Sequence, residues 1–534
     1  MKLIKFLLIG ISAFIIVLQL KGIYSANTDL TDASWIFMDE NITFAGVKKL
    51  HQALYTLDKG YIIDQFLDGG DHRYGRILWI INALTSFIPS LIWGDKGVIV
   101  ATRFTQAFFL VASYVILAHA LLKSFTLRCV AVALLLLLPH TPYYATMPKP
   151  EPFQLFFIAL FVWFASKKSF LLGNWYWIWL GAATGAKIAT LPLVAFWGAS
   201  AFGMALLGQD KNNQETAAFI KNLLKTIAWL IIGFNLAEPI FYIGPKIYWD
   251  WISGNVVHGE DNINLQFSDW FMFVINSWAG IHGRLMWIFL SLLVLISAFT
   301  FFQAIKGNHS YRNAGLVLAG GWLMNLFIMF TVKRLWGFYL QVGSALLVVG
   351  ALAAFNLLYS QIHQKLVRFL GIILGLILVA NGTILQLQYT KNVYEELATR
   401  TQNPQHIFKV KQQIWSENFI NKLYRQKNKT LLGFYAPALY QFRIQPETAL
   451  IRPIWGAFLD YSSQPDFIIT DFCLLPDTVN LSENIFKDSF RKSAVLYGKH
   501  VAIALNDSCL AIPCYIETKI DSLKLFLYTQ KTFP

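Results

Sequence analysis

The sequence predicts a polytopic α-helical membrane protein with about eleven spans, followed by a C-terminal soluble α/β domain. Three observations support this fold class. Of the 534 residues, 56% are hydrophobic and only 14% are charged, with a mean hydropathy of +0.49. Apolar runs recur from residue 6 to residue 388. Such runs must be helical, because a lipid-exposed backbone has to satisfy its own hydrogen bonds. Beyond residue 388 the chain becomes more polar.

The first apolar run follows a basic N-terminus and has no small-residue cleavage site after it, so we expect a retained span rather than a cleaved signal peptide. The predicted spans are 6–24, 98–121, 127–142, 151–166, 171–187, 188–208, 223–244, 284–305, 313–332, 335–358 and 367–388. The segment Ile77–Trp93 is also apolar. Counting it as a span would invert the charge alternation of all later loops, so we place it in the interface or as a re-entrant piece.

Every alternate loop is basic, which is the positive-inside pattern. These loops hold Lys123 and Arg128, then Lys167 and Lys168, then Lys211, Lys221 and Lys225, then Lys306 and Arg312, then Lys365 and Arg368. An odd number of spans places the N-terminus in the cytoplasm and the C-terminal domain outside. Cytoplasmic loops facing an anionic leaflet account for the net charge of +14, so we expect no nucleic-acid partner.

The chain therefore divides into a first transmembrane span (1–24), a first outer loop with interfacial helices (25–97), a transmembrane domain (98–388) and an outer soluble α/β domain (389–534). In the last domain, Leu431–Phe434, Phe467–Thr470 and Val501–Leu505 are strand-like, and Val410–Lys422 has a helical pattern. Its three cysteines permit a disulfide without requiring one. Modest cysteine usage and a Lys-rich soluble domain favour a bacterial inner membrane with a periplasmic domain.

The first outer loop opens with an acidic pair, Asp39-Glu40. Val47, Leu50, Leu54 and Leu57 then recur at helical spacing, which predicts an amphipathic helix on the membrane surface, with Gly60 as its stop. A polar cluster follows two glycines and comprises Asp71, His72, Arg73, Tyr74 and Arg76. Each charge alone is readily explained as a solvated loop residue. As a group they favour a functional site, because such sites concentrate in loops on rigid scaffolds.

Several cations lie at the outer ends of spans, against the positive-inside rule. They are Arg73, Arg76, Arg103, Lys149, Lys187, Lys246, Lys333 and Arg334, and Glu151 opens a span beside them. Snorkelling to the headgroups or structural Lys–Glu pairing would explain any one of them. Eight outer cations near the outer acids favour a shared anionic ligand, and a phosphate or pyrophosphate lipid headgroup fits that description.

A second large outer loop, 245–283, combines aromatic residues with His258, Glu260 and Asp261. The aromatic rings suit a sugar, whose C–H faces stack on them, and they suit the membrane interface equally well. The three polar residues also offer ligand atoms for a metal ion, although no spacing here is diagnostic of a metal site.

The layout resembles the GT-C superfamily of integral-membrane glycosyltransferases, in particular the polyprenyl-phosphate-sugar-dependent group of protein O-mannosyltransferases and aminoarabinose transferases. The resemblance covers about residues 1–360 and rests on the order of short motifs rather than on any one of them. These are Asp39-Glu40 after the first span, His72-Arg73-Tyr74-Gly75, Ala101-Thr102-Arg103, Lys149-Pro150-Glu151, and Lys333-Arg334 with Phe338-Tyr339. The chain lacks a His-Pro-Pro run, and Arg76 replaces the proline often found after Tyr-Gly, which leaves the subfamily open.

The resemblance implies transfer of a sugar from a polyprenyl-phosphate-linked donor to a lipid, glycan or protein acceptor in cell-envelope glycan biosynthesis. Asp39 would act as general base, and Glu40 would orient the acceptor or hold a divalent cation with Asp39, such as Mg or Mn; no cofactor is certain. Arg76, Lys149, Lys333 or Arg334 would stabilise the phosphate leaving group. A polyprenyl-linked glycan flippase remains open, although no internal repeat is visible. A glycan ligase or polymerase remains open too.

Overall fold

The computed structural model describes 2–28, 38–57, 60, 75–168, 170–207, 213–239, 245–246, 285–305, 308–331, 340–361, 383–395, 397–399 and seven strands between 430 and 530. The chain forms two compact units. Unit 1 comprises Met1–Leu30, Ile42–Ser253 and Asn264–Thr399, and unit 2 comprises Thr31–Asn41, Gly254–Ile263 and Arg400–Pro534. The predicted domain boundary at residue 389 lies slightly before the start of the C-terminal segment of unit 2.

The described helices are α1 (Lys2–Thr28), α2 (Met38–Thr56), α3 (Ile77–Leu121), α4 (Phe125–Leu136), α5 (Thr141–Thr146), α6 (Glu151–Lys167), α7 (Trp177–Ala186), α8 (Leu191–Leu207), α9 (Asn213–Ala237), α10 (Leu285–Ile305), α11 (His309–Thr331) and α12 (Gln341–Gln361), and residues 383–395 are also helical. In the described part, five helical stretches have the length and composition to cross a membrane. The chain is therefore an integral membrane protein, and the count of about eleven spans stays a prediction.

Helix α3 is a hairpin folded at Gly94, whose φ of 59° and ψ of −139° are non-helical. Residues at similar distances on either side of Gly94 meet. The Thr105 hydroxyl donates to Thr85 Oγ1 at 2.8 Å, and Gln106 Nε2 donates to Asn82 Oδ1 at 3.3 Å. The two halves therefore run antiparallel. The segment Ile77–Trp93 is thus a helix that turns back on the next one, and its depth in the membrane stays a prediction.

Helices α7 and α9 pack parallel to each other, with glycines at their interface. Near one end, the Gly173 N–H donates to Thr226 Oγ1 at 2.7 Å. Near the other, a Cβ on Gly185 would collide with the carbonyl oxygen of Phe234, so only glycine permits this approach. The pairing gives unit 1 two distinct ends.

One end of unit 1 is formed by the segments 120–128, 163–173, 217–228 and 308–313, which we call the basic end. Contacts join these segments: Ser166 Oγ donates to the Ala120 carbonyl at 3.3 Å, and Asn313 Nδ2 donates to the Ser166 carbonyl at 2.8 Å. The segments contain Lys123, Arg128, Lys167, Lys168, Lys221, Lys225 and Arg312 and no Asp or Glu. Loops that the sequence predicts to be cytoplasmic therefore meet here.

Residues 383–395 run parallel to α1. Leu387 packs with Ile15, Gln19 Nε2 donates to Thr390 Oγ1 at 2.8 Å, and Gly22 lies against the ring of Tyr394. Both helices therefore end at the same end of unit 1, as an odd number of spans requires.

The surface helix α2 differs from its prediction in one respect. It ends at Thr56, because Leu57 has a left-handed φ of 51°, so the prediction of Gly60 as its stop is wrong. Val47 and His51 are buried, whereas Leu54 and Leu57 are exposed. The exposed apolar side chains suit a helix that lies on a membrane.

Unit 2 contains the strands β1 (Thr430–Tyr435), β2 (Ala449–Pro453), β3 (Phe467–Thr470), β4 (Cys473–Pro476), β5 (Val501–Ala504), β6 (Tyr515–Ile520) and β7 (Leu525–Gln530). Five of them form a sheet in the order β2-β1-β3-β7-β6, in which β1 pairs in parallel with β2 and β3, and β7 pairs antiparallel with β3 and β6. Strands β4 and β5 form an antiparallel pair. The three predicted strand-like runs coincide with β1, β3 and β5. The predicted helix Val410–Lys422 lies outside the described residues, so the α/β class of this unit stays a prediction.

Candidate functional site

At the end of unit 1 opposite the basic end, the start of α3 is fixed by two backbone hydrogen bonds. The Gly75 N–H donates to the carbonyl oxygen of Ala186 at 3.0 Å, and the Arg76 N–H donates to Oε2 of Glu238 at 3.1 Å. A Cβ on Gly75 would overlap the Gly185 carbonyl, so glycine is required for this approach. Residues 75 and 76 are thereby held against the end of α7 and the residue that follows α9. We call this region the site end.

Lys187 and Glu151 form a buried ion pair at the site end. Their side chains are 13% and 4% exposed, and Lys187 Nζ contacts Glu151 Oε1. Lys187 directly follows α7 in an extended conformation, with φ of −155° and ψ of 118°. Glu151 opens α6, where its negative charge also suits the helix N-terminus. The sequence prediction of structural Lys–Glu pairing therefore describes this pair correctly, whatever further role its members have.

A polar scaffold holds the break between α7 and α8 in place. The Thr190 hydroxyl donates to the carbonyl oxygens of Ala183 at 3.0 Å and Lys187 at 2.9 Å, and it accepts a hydrogen bond from Gln154 Nε2 at 2.8 Å. Gln154 lies one turn after Glu151 on α6. The break that carries Lys187 is thus joined to α6 a second time, which holds the backbone at Lys187 in place.

Lys149 lies in the short non-helical segment that leads into α6 and is 3% exposed. The carbonyl of the preceding Pro148 accepts a hydrogen bond from the Thr43 hydroxyl at 3.4 Å. Arg103 is fully buried on α3, and the neighbouring Phe104 contacts Tyr24 of α1, with ring centroids 6.1 Å apart. Both cations are therefore removed from water, which excludes simple snorkelling as the reason for their position.

Arg76 is 2% exposed, and its guanidinium stacks over the Trp79 ring at 5.2 Å from the centroid. Cation–π contact of this kind is stronger when the cation is desolvated. The site end thus gathers Arg76, Lys149 and Lys187 with the carboxylates of Glu151 and Glu238. Cations outnumber carboxylates by three to two within this named set, a balance that suits an anionic ligand.

Glu238 is a site residue that the sequence patterns did not single out. It is fully buried and directly follows α9. The sequence does contain a signal for this residue, because Glu238 is an acid within the predicted span 223–244. An ionisable residue inside a span is a functional candidate by default. Its link to Arg76 joins residues 162 positions apart, which no local pattern reveals.

Of the predicted site residues, the structure brings together Arg76, Lys149, Glu151 and Lys187. Asp39 and Glu40 lie in the first turn of α2, where the structure describes the backbone alone. Arg103 is also described, as a fully buried residue of α3. The other predicted site residues lie outside the described residues: Asp71, His72, Arg73, Tyr74, His258, Lys333 and Arg334.

A divalent cation would need carboxylate ligands at this site. Within the described ranges, no group of three His, Cys, Asp or Glu side chains has the arrangement of a metal site. Asp39 and Glu40 supply the right donor atoms, so the prediction that they hold Mg or Mn stays a prediction.

No protein-family model matches the sequence, and no curated protein matches it. In a comparison with solved structures, the chain is similar to the archaeal oligosaccharyltransferase AglB from Archaeoglobus fulgidus, solved in complex with an inhibitory peptide and a dolichol-phosphate. The likeness covers 94% of this chain and 75% of that chain, at 9% sequence identity and a TM-score of 0.43. A likeness of this degree establishes neither the family nor the activity of the chain.

Proposed function

We propose that the protein is a membrane glycosyltransferase that moves a sugar from a polyprenyl-phosphate-linked donor to a lipid, glycan or protein acceptor on the outer face of the membrane. One observation carries the proposal: Arg76, Lys149 and Lys187 are nearly or partly buried at the site end together with Glu151 and Glu238. Ionisable groups inside a membrane protein are costly and mark sites of function. The choice of sugar transfer rests on the order of motifs, which resembles that of GT-C glycosyltransferases.

In the proposed reaction, an acceptor hydroxyl attacks the anomeric carbon of the donor sugar. Asp39 takes the hydroxyl proton as general base, and the bond between the anomeric carbon and the lipid phosphate breaks. The leaving phosphate then carries more negative charge than in the donor. Fixed cations such as Lys149 and Arg76 stabilise that charge without proton transfer, and preorganised electrostatic stabilisation of this kind supplies much of the rate enhancement in many enzymes.

The proposed base and its neighbour, Asp39 and Glu40, lie in the first turn of α2. Adjacent residues of a helix point about 100° apart. We therefore assign the base to Asp39 and the orientation of the acceptor, or of a cation, to Glu40.

The test is transfer of labelled sugar from a panel of polyprenyl-phosphate donors in membranes that contain the wild type, Asp39→Asn or Glu40→Gln. Glu395→Gln is the matched control, because Glu395 is an exposed acid on the helix over 383–395. Loss of a general base lowers the rate by about 10²–10⁴-fold. We expect that loss in Asp39→Asn at unchanged protein level and none in the control.

Mass spectrometry of cell-surface and lipid glycans would identify the acceptor. Activity that survives both Asp39→Asn and Glu40→Gln would refute the acidic pair as the catalytic centre. Failure of the wild type to transfer sugar from any donor, combined with movement of a labelled polyprenyl-linked glycan across the membrane, would replace the transferase with a flippase.

A further inference from the structure

At the basic end, one open face of helix α9, which we call the groove, has no role in the proposed sugar transfer. It consists of Ala217, Ile220, Lys221, Leu224, Lys225 and Ala228 and borders about 600 Å³ of open space. The two lysines stand one turn apart on one stripe of the helix, with an alanine on either side of them. Because alanine side chains are short, the space beyond each ammonium group is left open.

The groove faces outward. Ile220 is 49% exposed and Leu224 is 60% exposed, and further along the same helix Ile231 and Leu236 are exposed as well. Helix α9 belongs to a candidate membrane span, Ala217–Ala237. Exposed aliphatic side chains along such a span are suited to contact with lipid tails. The lysines therefore stand near the end of a lipid-facing helix, at the level where headgroups begin.

The charge of the groove is strongly one-sided. Two ammonium groups one turn apart repel each other and destabilise an isolated helix. Neither lysine has an ion-pair partner in the part of the chain that the structure describes. The segments that form the basic end contribute five further cations and no acid. An external anion would relieve this repulsion.

We propose that the groove binds one anionic glycerophospholipid of the inner leaflet. Its phosphate lies between Lys221 and Lys225, and an acyl chain follows Leu224 and Ala228 toward the middle of the membrane. Basic residues near the cytoplasmic end of a transmembrane helix attract anionic lipid headgroups. The occupant is a glycerophospholipid rather than the sugar donor, because the groove and the site end are at opposite ends of unit 1.

The test is native mass spectrometry of the full chain in detergent, titrated with phosphatidylglycerol or with phosphatidylcholine of the same acyl chains. We expect the wild type to retain phosphatidylglycerol preferentially. Each lysine near an anionic headgroup contributes enough to change affinity about fivefold, so Lys221→Gln with Lys225→Gln should weaken phosphatidylglycerol binding by about 30-fold. Lys221→Arg with Lys225→Arg should retain it.

Two further variants separate the groove from its surroundings. Lys123→Gln with Lys168→Gln removes two exposed charges at the same end but outside the groove, and should change the affinity by less than about twofold. Ala228→Trp keeps both lysines and fills the groove, and should weaken binding. Equal binding of the two lipids by the wild type, or an equal loss in the Lys123 and Lys168 variant, would overturn the proposal. Stronger competition by a polyprenyl monophosphate than by phosphatidylglycerol would overturn the choice of a glycerophospholipid.

Discussion

The ion pair between Lys187 and Glu151 allows structural and catalytic roles to be separated. Replacing Lys187 by Met leaves the Glu151 carboxylate, 4% exposed, without its partner. Removal of one member of a buried pair costs about 3–5 kcal/mol, because an uncompensated charge stays buried. Replacing both residues, Lys187→Met with Glu151→Leu, removes that charge and should return stability to within about 1–2 kcal/mol of the wild type.

The assay is a double-mutant cycle on unfolding in detergent, monitored by tryptophan fluorescence. The free energies of unfolding of the two single variants and the double variant should give a coupling of about 3–5 kcal/mol. The pair formed by Lys391 and Glu395 is the matched control, since its side chains are 70% and 62% exposed and 3.5 Å separates the charged atoms. That exposed pair should couple by about 0.3–0.5 kcal/mol.

Sugar transfer by the same variants then decides the role of Lys187. If the lysine also stabilises the leaving phosphate, the stable double variant should remain slower than the wild type by about 10²–10³-fold, as for loss of one preorganised donor. A double variant that is stable and fully active would restrict Lys187 to a structural role. A coupling below about 1 kcal/mol would refute the inference that the pair is buried and energetically significant.

Variants at three further positions test other parts of unit 1. Glu238→Ala should lower the free energy of unfolding by about 1–3 kcal/mol, because the buried Arg76 N–H loses its acceptor. Glu238→Gln keeps an acceptor oxygen and should lower the free energy of unfolding by less. Denaturant titration measures both values. Burial holds the pKa of His51 below its ordinary value of 6.5. As the pH falls, the unfolded chain therefore binds a proton at this residue before the folded chain does, and the free energy of unfolding should decrease below about pH 6.5. The His51→Gln variant should show a weaker pH dependence of the free energy of unfolding between about pH 7.5 and about pH 5.5. Gly94→Ala should lower the free energy of unfolding by about 1–3 kcal/mol, because a φ of 59° with a ψ of −139° is a conformation that glycine adopts and other residues avoid. An unchanged melting temperature in thermal unfolding would show that the α3 hairpin does not require glycine at this position.

The sequence predicted those parts of unit 1 that depend on local composition. Lys187 interrupts an apolar stretch and Glu151 begins one. Because charged side chains are costly in a membrane, the sequence alone marks both as candidates for a site. The alternation of basic loops likewise anticipated which segments meet at the basic end. In unit 2, short apolar runs predicted the strands that are now β1, β3 and β5.

The parts that escaped prediction depend on contacts between distant residues or on single dihedral angles. The hairpin in α3 follows from the conformation of Gly94 and from pairs such as Thr85 with Thr105, neither of which alters the hydropathy pattern. The early end of α2 follows from Leu57, a residue with no preference for the left-handed region. Glu238 was visible as an acid in a span, but its partner 162 positions away was not.

The two ends of unit 1 hold their charges in physically different ways. At the basic end, Lys221 and Lys225 are exposed, so hydration lowers the cost of their charges and leaves them responsive to salt and lipid. At the site end, Arg76 and Lys149 are at most 3% exposed and stand beside the fully buried Glu238 or the nearly buried Glu151. The free-energy cost of removing these cations from water is offset during folding by contacts with carboxylates, an aromatic ring and backbone groups. In the proposed reaction, a phosphate at the site end would therefore meet cations that are already oriented, and little reorganisation would be needed during the reaction.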